Sequence, residues 1–117
     1  MSRKPTEIDT LEVDAYVARC WDRATAPRVS EFAYELGISR VTLNLRFQEK
    51  TGISLSEYFA AMREQAAAML LEESDLKTDD VALKAGFGTP RTFHRVFTRK
   101  FGITPGRYRT LIKMSGN

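Results

Sequence analysis

The chain has 117 residues, with 43% hydrophobic and 28% charged side chains and a formal net charge of +3. That is enough apolar material for one compact domain or two very small ones sharing a junction rather than a disordered chain, and too much charge for a membrane-buried one. The longest uninterrupted apolar run, residues 66–71, is far short of a bilayer span, and the single Cys20 excludes an internal disulfide or a cysteine-built zinc cage, so a reducing cytoplasm fits.

The opening Met-Ser-Arg-Lys-Pro-Thr-Glu turns acidic without an apolar signal core, so export is not expected and residues 1–8 read as a flexible N-terminus. Asp9-Thr10-Leu11-Glu12 reads as a capping box for a helix burying Val13, Tyr16, Val17, Cys20 and Ala24. Val29, Phe32, Ala33 and Leu36 then recur at helical spacing, and Gly37 supplies a turn. Ser39 caps the next helix, whose inner face is Leu43, Arg46 and Phe47. Ser54-Leu55-Ser56-Glu57 is a second capping box, opening a long helix with Tyr58, Phe59, Met62, Ala66, Met69 and Leu70 on its apolar side.

Thr78 precedes Asp79 and Asp80, acids suited to the positive start of a helix. Val81, Ala82 and Ala85 face inward, and Gly86 turns the chain. Thr89 as cap and Pro90 as first helical residue open the following helix, and Thr104-Pro105 starts a short closing one with Tyr108 and Leu111. No stretch alternates with period two, so the expected fold class is all-α, with about seven helices.

The chain also matches itself. At a shift of fifty, Leu43 aligns with Phe93, Phe47 with Phe97, Lys50 with Lys100, Gly52 with Gly102, Ile53 with Ile103, Ser54 with Thr104 and Tyr58 with Tyr108. Upstream the shift is forty-nine, pairing Phe32 with Val81, Ala33 with Ala82, Gly37 with Gly86 and Ile38 with Phe87. Each copy is a helix, a turn containing glycine and a second helix, which is the helix-turn-helix arrangement, present twice.

Charge is segregated along the chain. Residues 1–54 balance to zero, residues 55–76 carry −4, and residues 77–117 set nine Lys and Arg against only Asp79 and Asp80. The stretch GFGTPRTFHRVFTRKFG, residues 86–102, holds no acid at all. At about 100° per residue, Phe93, Val96, Phe97 and Phe101 fall on one arc, and Arg91, His94, Arg95 and Thr98 on the opposite one. Lys100 lies within the apolar arc near the helix end and is expected to snorkel outward. A basic helix face is often only solvated; on the second helix of a helix-turn-helix it fits a DNA major groove, where Arg matches the O6/N7 edge of guanine. The connecting helix, residues 54–73, would run ~30 Å, comparable with the ~34 Å between major-groove faces on one side of B-DNA.

GFGTPRTFHRVFTRKFGITPGRYR, residues 86–109, resembles the C-terminal signature of the AraC/XylS family of bacterial transcription regulators. ELGISRVTLNLRFQEKTGIS, residues 35–54, is similar to that family's first helix-turn-helix. The resemblance covers about residues 10 to 112. It implies two helix-turn-helix subdomains, at 9–53 and 75–113, joined by a connecting helix at 54–74 and followed by a tail at 114–117. It further implies recognition helices at about 39–50 and 89–101 entering adjacent major grooves of double-stranded DNA, and transcription activation through contact with RNA polymerase. Carried over by position, the base-reading residues would be Val41, Asn44 and Leu45 in the first unit and Pro90, Arg91, His94 and Arg95 in the second. Arg40, Gln48, Thr98 and Arg99 would meet phosphates, which position rather than specify.

One departure concerns Leu45 and Arg46. The family commonly has a polar or basic residue where Leu45 stands and an apolar one where Arg46 stands. Two orientations follow: Leu45 meets thymine methyls and reading is weak or apolar, or the helix rotates to bury Leu45 and free Arg46. About 25 residues precede the first motif, too few for the sensing or dimerisation domain other members carry. The chain reads either as a compact single-domain member or as an excised C-terminal domain. Because one polypeptide holds both units, binding as a monomer is expected unless a dimerisation domain belongs ahead of it. The expected location is the bacterial nucleoid, without a membrane partner.

A second reading is a protein-interaction module acting on another regulator or polymerase, drawing on Glu72, Glu73 and Asp75. Enzyme chemistry is not expected. Cys20 lies on an apolar helix face as an inert thiol, His94 is the lone histidine without a metal-ligand set, and no nucleophile–base constellation or Gly-rich phosphate loop presents itself. No cofactor or metal is called for, and Trp21 reads as packing.

Overall fold

The computed structural model describes residues 9–23 and 25–116, so the expectations for residues 1–8 and Ala24 lie outside the described residues. Among these there are seven α-helices and no strand: α1 (Thr10–Asp22), α2 (Val29–Leu36), α3 (Arg40–Thr51), α4 (Leu55–Glu73), α5 (Thr78–Lys84), α6 (Pro90–Phe101) and α7 (Pro105–Ser115). No described helix is long and apolar enough to cross a membrane. The chain divides into two compact units between Ala61 and Met62, within α4.

Local signals start and stop these helices. Asp9 caps α1 by accepting from the Leu11 amide at 2.9 Å, and Ser39 caps α3 by accepting from the Thr42 amide at 3.0 Å. Ser54 and Glu57 form the reciprocal capping box: the Glu57 amide donates to Ser54 Oγ at 3.1 Å, and the Ser54 amide to Glu57 Oε1 at 3.2 Å. Gly37 and Gly86 end α2 and the α5 turn with φ of 73° and 94°, a left-handed conformation that costs glycine little. Each turn closes with the same bond one residue later, Ile38 N–H to Ala33 C=O at 3.1 Å and Phe87 N–H to Ala82 C=O at 2.9 Å. The aligned pairs of the sequence repeat are thus equivalent in the backbone.

The first unit buries Val13, Tyr16, Val17, Cys20, Phe32, Ala33, Leu43, Phe47, Leu55 and Phe59. Tyr16 is its centre, stacked on Phe32 at 4.5 Å and 5.9 Å from Phe59 between ring centroids. Its hydroxyl donates to Glu31 at 2.6 Å and accepts from the Arg28 amide at 3.0 Å, so the one polar atom of this buried ring is satisfied. Arg19 and Glu35, 2.8 Å apart, add a second tie between α1 and α2.

The second unit packs Ala67 and Leu71 of α4 against Val81, Ala82, Ala85, Phe87, Phe93 and Phe97. Phe93, Phe97, Phe101 and Tyr108 form a chain of ring contacts from α6 to α7. One expectation changes here. Met69 is 56% exposed rather than on the apolar side of α4; the buried positions are the pair Leu55 and Phe59 and the pair Ala67 and Leu71, and Met69, about 200° around the helix from Ala67 and Leu71, lies on another face. α5 begins at Thr78, with Asp79 and Asp80 in its first turn as expected and Lys77 in the cap position without a side-chain cap bond.

Arg109, on α7, completes this unit. Its guanidinium donates to the carbonyls of Leu70, Leu71, Ser74 and Leu76. A helix ends with carbonyls that lack intrahelical partners and with partial negative charge. The last turn of α4 has no basic residue of its own, so the cation comes from α7.

Candidate nucleic-acid interface

α6 is built to present one face. Thr89 Oγ1 accepts from the Thr92 amide at 3.1 Å, Pro90 occupies the first turn where its missing N–H costs nothing, and Gly102 closes the far end. Phe93 and Phe97, four residues apart, are buried and fix the rotation of the helix. Pro90, Arg91, His94, Arg95 and Arg99 are consequently exposed. Lys100 reaches Glu64 at 3.9 Å, whereas none of the three arginines forms an ion pair among the described residues. Thr98 departs from the expected arrangement: its hydroxyl oxygen is buried without a hydrogen-bond partner among the described residues, so it is not presented to a phosphate.

α3 has the same architecture with different chemistry. Leu43 and Phe47 are buried at the positions equivalent to Phe93 and Phe97, which sets the helix rotation and decides between the two orientations left open above. Leu45 is 55% exposed and Val41 67%, one turn apart on the outer face. The Arg46 side chain is 36% exposed and lies 3.9 Å from Glu49. Arg40 and Gln48 are exposed.

Asn44, between Val41 and Leu45 on the same face, is engaged within the fold. Its Oδ1 accepts from the Ser56 amide at 3.0 Å and its Nδ2 donates to Ser56 Oγ at 3.2 Å. Ser56 lies in the first turn of α4, so Asn44 satisfies one of the amides that a helix start leaves open. Shifted by fifty, this pair becomes His94 and Gly106, and glycine has no hydroxyl to engage His94. His94 instead borders a cleft of about 280 Å³ shared with Thr78, Asp79, Thr104 and Gly106.

Sequence reading did not identify Ser56 or Arg109 as organising residues. Asn44 and Ser56 are twelve positions apart and Arg109 acts across more than thirty, beyond any local pattern. Among the described residues no cluster of His, Cys, Asp and Glu could hold a metal ion, and Cys20 is a buried free thiol.

The helix-turn-helix domain family known for AraC-type regulators matches residues 32–110. The chain belongs to the AraC/XylS family. This is a family of DNA-binding transcription regulators, not of enzymes. The HTH-type transcriptional activator RhaR of Escherichia coli K12 is 32% identical over 111 residues, which cover 94% of this chain and 39% of the relative. The chain therefore spans about two fifths of that relative's length. Among solved structures, the DNA-binding domain of AdpA, a global transcriptional factor in complex with a target DNA, is similar with a TM-score of 0.75 and 29% identity, covering 87% of this chain and 93% of that one. An AraC-type regulator from Chromobacterium violaceum matches with a TM-score of 0.68 and 26% identity over 86% of this chain and 88% of that one.

Proposed function

We propose that this chain binds double-stranded DNA sequence-specifically and regulates transcription, placing α3 and α6 in adjacent major grooves. The observation that carries the reading is the outer face of α6: Arg91, His94 and Arg95 exposed on one side of a helix whose other side is locked by Phe93 and Phe97. A helix is the width a major groove accepts, and Arg donors match the guanine edge there. Family membership and the likeness to a domain seen on its target DNA support the same reading.

In this account Arg91, His94 and Arg95, with Pro90 beside them, meet base edges from α6, and Val41 and Leu45 do so from α3. Arg40, Gln48 and Arg99 meet phosphates. Thr98 and Asn44 serve the fold rather than the DNA, since the hydroxyl of one is buried and the amide of the other is taken by Ser56. One polypeptide supplies both recognition helices, so the chain binds as a monomer unless a dimerisation domain belongs ahead of it. Activation through contact with RNA polymerase is the mode in keeping with an activator among its relatives. Of the acids on which the protein-interaction alternative draws, Glu72 accepts the Tyr108 hydroxyl at 2.5 Å and so serves the fold, while Asp75 stays fully exposed.

Mobility shifts on a selected site and on a scrambled one test this directly. Affinity should fall steeply with salt as phosphate contacts release counterions; a salt-insensitive complex counts against the reading. Arg91→Ala or Arg95→Ala should cost about 1–3 kcal/mol on the selected site and much less on the scrambled one. Arg99→Ala should weaken both alike and lower the salt slope by about 1. Equal affinity of the parent chain for both DNAs contradicts sequence-specific reading.

A further inference from the structure

We infer that the two recognition helices read DNA by different chemistry: α6 by cationic hydrogen-bond donors, and α3 by apolar contact of Val41 and Leu45 with thymine 5-methyl groups. The inference rests on the DNA-binding reading above and says what the first unit of that same interface recognises.

The internal repeat sets the positions. Val41 and Leu45 stand where Arg91 and Arg95 stand fifty residues later, on helices whose buried faces are equivalent. Both apolar side chains are exposed, so neither is explained by core packing. The polar residue between them, Asn44, has the side chain best suited to an adenine edge, but its oxygen and its nitrogen are both committed to Ser56. With Asn44 engaged, the face from Val41 to Leu45 presents hydrocarbon, and the exposed Gln48 follows about one turn further on.

In a major groove that surface has one good match. The thymine methyl is the only apolar group the four bases present there. Valine and leucine neither donate nor accept, so pressing them on a guanine, cytosine or adenine edge would strip water from polar atoms and return no hydrogen bond. A cation at the start of the helix fits a nucleic acid better than an apolar protein surface: Arg40, exposed, precedes Val41. The only carboxylate on α3, Glu49, lies beside Arg46.

The test replaces thymine by deoxyuridine, which removes the methyl and leaves every hydrogen-bonding atom. A site is first selected with the full chain, and the box read by α3 is located as the one whose base preference changes in Leu45→Ala, with circular dichroism checking that the variant is folded. Deoxyuridine in that box should weaken binding about fourfold per contacted methyl, the equivalent of about 0.8 kcal/mol. The loss should disappear when Val41 and Leu45 are both alanine, and deoxyuridine in the other box should have no effect. A selected α3 box without thymine, or deoxyuridine tolerated in it while the chain still discriminates its site from scrambled DNA, overturns the inference and leaves the DNA-binding reading intact. A folded Leu45→Ala chain with unchanged affinity and preference assigns the apolar pair to a protein partner and likewise overturns it. Absence of any sequence preference in the parent chain brings down the DNA-binding reading along with it.

Discussion

At the residue scale, Asn44 and Tyr108 are half-buried polar residues whose side chains tie elements of the fold together. Asn44 bridges α3 to the first turn of α4, so Asn44→Ala should act on the first unit as the loss of a helix cap does, about 0.5–2 kcal/mol in a denaturant titration. Tyr108 donates to Glu72, and that hydrogen bond, with burial second, raises the phenol from 10.0 to about 12. A phenol whose pKa is higher folded than unfolded contributes stability that is fully present below pH 10 and is lost as pH rises through 12. Tyr108→Phe should therefore flatten the decline of stability between pH 10 and 12 relative to the parent chain. An unchanged difference between the two chains across that window would remove the Glu72 contact from the account.

At the element scale, what could be read beforehand was what neighbours in sequence decide. Ser39 and Thr89 as caps, Pro90 in the first turn and Gly37 and Gly86 at the turns all act within a few residues, and each stands where the sequence placed it. Leu45 against Arg46 was not legible, because a small rotation of α3 exchanges them, and only the joint burial of Leu43 and Phe47 fixes that rotation. Met69 was misplaced for a related reason. α4 buries Leu55 and Phe59 in one unit and Ala67 and Leu71 in the other, so one stripe drawn along its whole length misassigns positions in between.

The C-terminal end of α4 was equally hidden. Two of its last carbonyls, and two of the segment that follows it, are served by Arg109, a residue within the motif that identified the family but with no local partner. Arg109→Ala leaves several of those acceptors unpaired and should destabilise the second unit by about 2–4 kcal/mol. Arg109→Lys should recover only part of that, because one ammonium cannot reproduce the fork of the guanidinium. Chemical denaturation of the two variants checks both values.

At the scale of the whole molecule, the duplicated turn geometry and the shared placement of Leu43 with Phe93 and Phe47 with Phe97 make two units from one plan, with surfaces that have diverged. On the proposed function, the basic face of α6 and the apolar face of α3 would read an asymmetric site of two unlike boxes. Hydroxyl-radical footprinting of the full chain on its selected site measures this most directly. The account predicts two protected patches on one face of the duplex, with centres about 10 base pairs apart, the patch under α6 losing protection in Arg95→Ala. A single short patch, or protection that does not depend on sequence, would contradict it.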